Sequence, residues 1–316
     1  MSEADDLKTA QTLVAAGQKG KALPLLWRLY GSTDPNIKIY VVFALLAALD
    51  RLTQNDLLIE VTDNAIAAAS ASARREVYGH LLGKKAEFLC DKLSWLVYRQ
   101  HSLNLAAGVF EWIGFSLEED RLEFDKLSEQ RKRLEEEIAS LIATVLVEVG
   151  SSQDHYMKGH TFVSLGEISF SHFLTSKIDL IGGGRIRHML MNAYYVRRFN
   201  LDTFVGYKRA NRRRITRFWK DSVTFYRTAI AEFEAAKYNA DLAHALHGLA
   251  VKFALNYRFF RAGQTLRRAK HLAEIENQTS LLASIADLEQ TVKDKYKHPR
   301  NYVQKLGLDL PRGLQN

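Results

Sequence analysis

The sequence predicts an all-α protein, an α-solenoid of stacked antiparallel helical hairpins with one long helix. The first observation is that none of the prolines (Pro24, Pro35, Pro299 and Pro311) lies between residues 36 and 298. Proline breaks helix interiors, whereas Ala, Leu, Glu, Lys and Arg, which are abundant here, favour them. The second is a hairpin pattern that recurs along the chain. The third is the composition, 47% hydrophobic and 25% charged over 316 residues, which is ordinary for one or two folded domains.

The first hairpins are predicted at the N-terminus. The sequence predicts one helix pair at residues 6–16 and 19–30, joined by a glycine-containing turn. It predicts the next pair at residues 36–51 and 54–70. Small and large apolar residues recur at a constant offset in the two pairs. Ala22 and Leu58 are 36 residues apart, as are Leu29 and Ala65. A repeated offset of this size is typical of helical-repeat proteins.

Three sets of residues carry a resemblance to the tetratricopeptide repeat. They are Ala10, Leu13, Gly17, Ala22, Leu26 and Leu29; Leu46, Leu49, Thr53, Leu58, Thr62 and Ala65; and Leu249, Ala250, Phe253, Tyr257, Ala262, Leu266 and Ala269. Small residues in these positions let two helices approach closely, and large ones fill the groove between them. The resemblance covers about a third of the chain, and the glycine position holds Thr53 and Tyr257 in the later sets. It implies stacked hairpins that mediate protein assembly, with a generic helical bundle as the alternative.

Longer helices are predicted in the middle of the chain. One helix is predicted at residues 72–100, and the longest predicted helix covers residues 117–149. The latter carries a stripe with heptad spacing: Phe124, Leu127, Arg131, Leu134, Ile138, Leu141 and Val145. Such a stripe favours packing along the chain's own helices, with a coiled-coil contact to another chain as the alternative.

Glycines and short apolar pieces predict where the pattern changes. Residues 151–184, which end in three glycines, are expected to form an irregular junction. The predicted organisation is therefore a hairpin region at 1–150, this junction, a basic helical region at 185–298 and an extended tail at 299–316.

The net charge of +8 is concentrated in one segment. Residues 185–220 hold eleven Lys and Arg against one acid, Asp202, which gives +10. The rest of the chain therefore sums to −2. The candidate binding residues in this segment are Arg197, Arg198, Arg209, Arg213, Arg217 and Lys220.

A helix over residues 207–236 would separate these cations from an apolar face. At 100° per residue, Ile215, Trp219 and Tyr226 fall on one side. The other side carries Arg209, Arg213, Arg217, Lys220 and Arg227. Aromatic residues also interleave upstream. A rigid row of cations suits nucleic-acid phosphates, with stacking on the aromatics, or an acidic protein surface. A solvated face paired with neighbouring carboxylates is the third possibility.

Catalytic motifs are sparse. Arg75 and His80 are separated by four residues on a predicted helix, which resembles the Arg-x4–6-His motif of HEPN ribonucleases. That resemblance implies acid-base chemistry by His80 and phosphate stabilisation by Arg75. Asp154, His155, His160 and His172 have no standard metal-ligand spacing, so neither a metal nor a cofactor is predicted.

The location and function follow from these features. One cysteine, Cys90, excludes an internal disulfide. The longest apolar run, residues 39–49, is shorter than the roughly 20 residues of a membrane-spanning helix, and the N-terminus lacks a signal pattern. We therefore expect a cytoplasmic protein without membrane contact. The first hypothesis is an adaptor that binds another protein, the second an RNA- or DNA-binding subunit, and the third a HEPN-like ribonuclease.

Overall fold

A computed structural model describes residues 2–50, 53–71, 75–112, 118–181 and 201–294. The part of the chain that it describes is all-α and contains no strand, which confirms the predicted fold class. Its eleven helices pack in neighbouring pairs. They are α1 (Glu3–Ala15), α2 (Lys19–Tyr30), α3 (Pro35–Ala48), α4 (Asn55–Ala71), α5 (Arg75–Trp112), α6 (Glu118–Ser151), α7 (His155–Ile181), α8 (Leu201–Ala236), α9 (Asn239–Leu255), α10 (Phe259–Ile275) and α11 (Thr279–Lys293). Of these helices, none is both long and apolar enough to cross a membrane.

The chain divides into two compact units that differ from the predicted domains. The first unit comprises Met1–Gln153 and Glu167–Asp221, and the second comprises Asp154–Gly166 and Ser222–Asn316. Helices α7 and α8 therefore each contribute to both units. The region predicted at 185–298 is not a unit of its own, because its first part belongs to the first unit. The tail predicted at 299–316 lies outside the described residues.

The first unit begins with the two predicted hairpins, α1–α2 and α3–α4. Ser2 and Asp5 form a capping box at the start of α1, and Pro35 occupies the first position of α3 behind the N-cap Asp34. Most residues of the first two predicted repeat sets are buried: Ala10, Ala22, Leu26, Leu29, Leu49, Leu58, Thr62 and Ala65. Ion pairing between Arg28 and Asp6, 2.5 Å apart, links α2 to α1.

Helices α5 and α6 pack side by side, and the heptad stripe of α6 accounts for this contact. Leu127, Ile138 and Val145 are buried, and α6 makes its contacts with α5 of the same chain. Arg131, the charged member of the stripe, donates hydrogen bonds to the carboxylate of Glu135, at 2.9 Å, and to the side-chain oxygen of Gln100 on α5. The stripe therefore packs along the chain's own helices.

A half-buried lysine ties three helices of the first unit together. Lys85 on α5 lies 2.9 Å from Asp63 of α4 and 3.2 Å from Glu137 of α6. Burial lowers the pKa of Lys85, but its hydrogen bonds to these two carboxylates outweigh that effect and raise the pKa overall. Lys85 therefore remains charged in the folded protein.

The irregular junction predicted at 151–184 is wrong over most of its length, because His155–Ile181 forms the continuous helix α7. The prediction relied on the glycines and on short apolar pieces without a clear helical period in this segment. Gly159 and Gly166 instead lie against the rings of Phe233 and Tyr226, so close that an added Cβ would come within 2.5 and 2.7 Å of them. These glycines are contact points between α7 and α8 rather than helix breaks.

Tyr226 is the centre of packing in the second unit. Its ring is fully buried between Gly166 of α7 and Gly248 of α9, and a Cβ at Gly248 would lie 2.8 Å from its hydroxyl oxygen. The Ser222 hydroxyl donates a buried hydrogen bond to the carbonyl of Gly166 at 2.8 Å. Glycine at both contact points lets a large ring fill the space between three helices.

Four helix-to-helix turns share one backbone form. Gly17, Lys237, Tyr257 and Asn277 have positive φ values of 73°, 58°, 58° and 54°. In each turn the next residue donates to the carbonyl five residues back, at 2.8 to 3.0 Å, as in a Schellman motif. Tyr257, which stands at the glycine position of the predicted repeat pattern, adopts the same left-handed conformation as Gly17.

Candidate anion-binding surface on helix α8

The described part of α8 has the two faces that the sequence predicts. Trp219, Tyr226 and Phe233 are buried on one side, and Ile215 is half-buried. The opposite side is exposed because the helical period places its cations away from this stripe. Because these aromatic side chains are buried, they fix the position of the helix and therefore of its exposed face.

The exposed side carries a cluster of cations, Arg212, Arg213, Arg217 and Lys220, which we call the α8 basic surface. Together with Thr216 and Asp221, these residues line a shallow, open concavity. Arg217 has its side chain 82% exposed and lies 3.7 Å from Asp221, the nearest carboxylate. Among the described residues, the other three have no carboxylate within 4 Å.

Several cations elsewhere in the first unit contrast with this surface because they form ion pairs. Lys85 bridges two carboxylates, Lys92 lies 2.8 Å from Asp56, and Arg99 lies 2.6 Å from Glu123. These ion pairs neutralise the charge locally. The α8 basic surface keeps its positive field, which attracts anions.

Three side chains next to the α8 basic surface, those of Arg214, Phe218 and His172, stack on one another in a column. Arg214 covers the ring of Phe218 at 5.5 Å, and Phe218 stacks on His172 of α7 with ring centroids 5.1 Å apart. The other edge of the imidazole faces Cys90 of α5, with Nε2 3.9 Å from Sγ. Burial, together with the charge of Arg214, lowers the pKa of His172 to about 4, against a weak opposing effect of Glu135. The imidazole is therefore neutral near pH 7.

Several predicted site residues cannot be placed on this surface. Arg197 and Arg198 lie outside the described residues, and of Arg209 only the helical backbone is described. Arg213, Arg217 and Lys220 are brought together on one exposed face, as predicted. Their binding role stays a prediction.

The ribonuclease candidates do not form an exposed pair. His80 is only 6% exposed, and its ring packs 5.6 Å from the ring of Phe43. Arg75 begins α5, and its side chain lies outside the described part of the chain. A general acid-base group must reach the proton it transfers, and this core position does not present His80 to a polymer.

The polar set predicted at residues 154–172 is distributed over separate contacts. His155 lies 2.6 Å from Glu232, and His160 lies 3.3 Å from Asp241, whereas His172 belongs to the column described above. Asp154 caps the start of α7. No group of metal-ligating side chains is found in the described ranges.

One surface was missed by the sequence reasoning. On α10, Phe260 and the nearby turn residue Tyr257 are exposed, next to the exposed Arg261 and Arg267. The segment-by-segment charge count hid this cluster, because residues 185–220 dominate the basic excess. The signal that could have found it is the run Arg258, Phe259, Phe260 and Arg261 directly after a helix-ending turn.

Neither a model of a protein family nor the sequence of any curated protein matches the chain.

Proposed function

We propose that this protein is a helical-repeat adaptor that docks an acidic segment of a partner protein on the α8 basic surface. The observation that carries the proposal is the exposed cation row on a helix whose other face is buried. The hairpin architecture supports it, since stacked helix pairs offer extended surfaces for binding other proteins.

The spacing of the cations suits a helical partner. Arg213, Arg217 and Lys220 stand at positions i, i+4 and i+7, within an arc of about 60° and over about 10 Å of the helix axis. A second helix with carboxylates at the same spacing can place one opposite each cation. Exposed ion pairs contribute about 0.2–1 kcal/mol each, so three together change Kd by about 3- to 150-fold. The surface therefore selects and steers a partner whose remaining affinity comes from other contacts.

The aromatic residues nearest the cations favour protein over nucleic acid at this site. Phe218 is enclosed between Arg214 and His172, and Trp219 is buried. Single-stranded nucleic acid gains affinity by stacking bases on exposed rings. Neither ring offers an open face, so nucleic acid would contact this surface through phosphates alone.

The test measures binding of labelled peptides by fluorescence anisotropy at low salt. One helical peptide carries Glu at i, i+4 and i+7, and a second has the same composition with Glu distributed around the helix. The triple variant Arg213→Gln, Arg217→Gln, Lys220→Gln should weaken binding of the first peptide by about 3- to 150-fold. The matched control is Lys8→Gln, Lys19→Gln, Lys21→Gln, which removes three exposed charges from α1 and α2.

The outcomes separate the hypotheses. Equal binding of the acidic peptide by the wild type and the α8 triple variant would refute the docking role. Equal loss in both triple variants would show a general charge effect. Preferential binding of a duplex or single-stranded oligonucleotide, lost in the α8 triple variant only, would replace the protein partner with nucleic acid.

A further inference from the structure

We propose that α10 carries a second binding site, a stacking platform for single-stranded nucleic acid. This inference goes beyond the adaptor function and uses only residues of the second unit. Phe260 and Tyr257 are 74% and 61% exposed, more than any other aromatic side chain in the described ranges. Exposed rings of this kind lose their contact with water when a base stacks on them.

The backbone holds both rings in place. Tyr257 occupies the left-handed position of the α9–α10 turn, at φ 58°, and its ring meets Phe259 edge-on with centroids 6.1 Å apart. Phe260 stands in the first turn of α10, whose opposite face is buried through Ala262 and Leu266. Rings on a fixed backbone lose little conformational entropy on binding.

Polar side chains, one of them an arginine, continue from Phe260 along the same exposed side of α10. Phe260, Gln264, Arg267 and His271 stand at i, i+4, i+7 and i+11, which spans about 16 Å of the helix axis. Arg261 directly follows Phe260. In the described part of the chain, neither Arg261 nor Arg267 has a carboxylate within 4 Å.

Other cations on α10 are paired, in contrast to these two. Arg268 forms an ion pair with Glu234 of α8, and Lys270 lies 3.5 Å from Glu289 of α11. These pairs join α10 to neighbouring helices. Arg261 and Arg267, which meet no carboxylate within the described ranges, are exposed near Phe260, where they can contact phosphates.

This combination identifies the ligand class. Guanidinium groups alone would fit any polyanion, but exposed aromatic rings fit bases that are unpaired and unstacked. A duplex keeps its bases inside, so it can offer only phosphates to the two arginines. The α10 site therefore favours single strands, unlike the α8 basic surface, whose rings are enclosed.

The experiment measures anisotropy of a labelled oligothymidylate of about 12 nucleotides and of its duplex, across a salt series. Phe260→Ala should weaken single-strand binding by about 5- to 150-fold, whereas Phe260→Tyr should retain it. Ile275→Ala is the matched control, since it truncates an exposed apolar side chain at the other end of α10. Arg261→Gln with Arg267→Gln should reduce the slope of log K against log salt by about 1.4.

The proposal would be overturned by no binding of the single strand by the wild type, by unchanged affinity in Phe260→Ala, or by a duplex affinity equal to that of the single strand. A loss in Phe260→Tyr as large as in Phe260→Ala would also exclude stacking. The α8 triple variant should keep the Phe260-dependent part of the binding, so failure of the α8 surface is distinguishable from failure of the α10 site. If an acidic peptide but no oligonucleotide depended on Phe260, the site would bind protein and the inference would be wrong.

Discussion

Lowering the pH from 7 to 5 is expected to destabilise the protein through one partly buried imidazole. His172 is enclosed by Phe218 and Cys90, and its pKa is lowered from 6.5 to about 4 by burial first and then by the charge of Arg214. The unfolded chain therefore takes up this proton near pH 6.5, whereas the folded chain resists it until near pH 4. Between these values the unfolded state binds more protons, so the free energy of unfolding falls as the pH falls.

The magnitude follows from the two pKa values. A difference of about 2.5 pH units corresponds to about 3.4 kcal/mol once both states are protonated. The loss from this residue is about 1.4 kcal/mol at pH 5.5 and about 2 kcal/mol at pH 5. His244 and His247, whose pKa values burial also lowers, act in the same direction, so the test must isolate His172.

The assay is urea unfolding followed by circular dichroism at several pH values between 7.5 and 5. The variant His172→Phe keeps an aromatic ring against Phe218 but cannot titrate. The difference in unfolding free energy between the wild type and this variant should therefore shift by about 2 kcal/mol between pH 7 and 5. Arg214→Gln is the matched perturbation. It removes the second cause of the lowered pKa and should make the pH dependence shallower.

An independent measurement makes the reasoning refutable. Titration of the folded protein followed by the imidazole resonances in NMR should place His172 far below 6.5. A midpoint at 6.5 would contradict the proposed neutral, buried state. So would a His172→Phe variant whose stability has the same pH dependence as that of the wild type.

Two further predictions concern the backbone and packing of the second unit, both measured by urea unfolding. Gly248→Ala should lower the free energy of unfolding by about 1–3 kcal/mol, because its Cβ would meet Tyr226, whereas Gly263→Ala, with open space around it, should raise it by about 0.5–1 kcal/mol. Equal effects of the two changes would contradict the packing argument. Lys237→Gly should add about 0.5–1 kcal/mol by relieving a left-handed side chain, and Asn277→Gly less, since asparagine tolerates this conformation. A larger gain at Asn277 would be inconsistent with this explanation.

The faces of helices were predictable from the sequence, because burial follows the helical period. The placement of Trp219 and Tyr226 inside and of Arg213 and Arg217 outside needed only the angle per residue. The same reasoning failed for α7. From the local sequence, Gly166 looks like a helix break. Its small size is instead needed for the close contact with the ring of Tyr226, which lies 60 positions away in the sequence.

The candidate sites were predictable only in part, for a different reason. Charge counting found the α8 basic surface because its segment holds almost no acid. It missed α10, where Arg267 and Arg268 are neighbours in sequence. Of these two, only Arg268 has an ion pair among the described residues, with Glu234 of another helix. Which of two adjacent cations is neutralised depends on tertiary contacts. The exposure of Phe260 depends on them as well, because the sequence alone does not distinguish it from a core residue.

The turns at Lys237, Tyr257 and Asn277 are spaced by 20 residues each and share one backbone form. This regular spacing limits which changes in chain length the second unit can accept. One residue inserted within α9 would rotate everything after it by about 100°, which moves the buried side of that helix toward solvent. A whole hairpin of about 40 residues could be added or removed without altering that phase. Sequences related to this one are therefore expected to differ in length by complete helix pairs, and single-residue insertions are expected outside the helices.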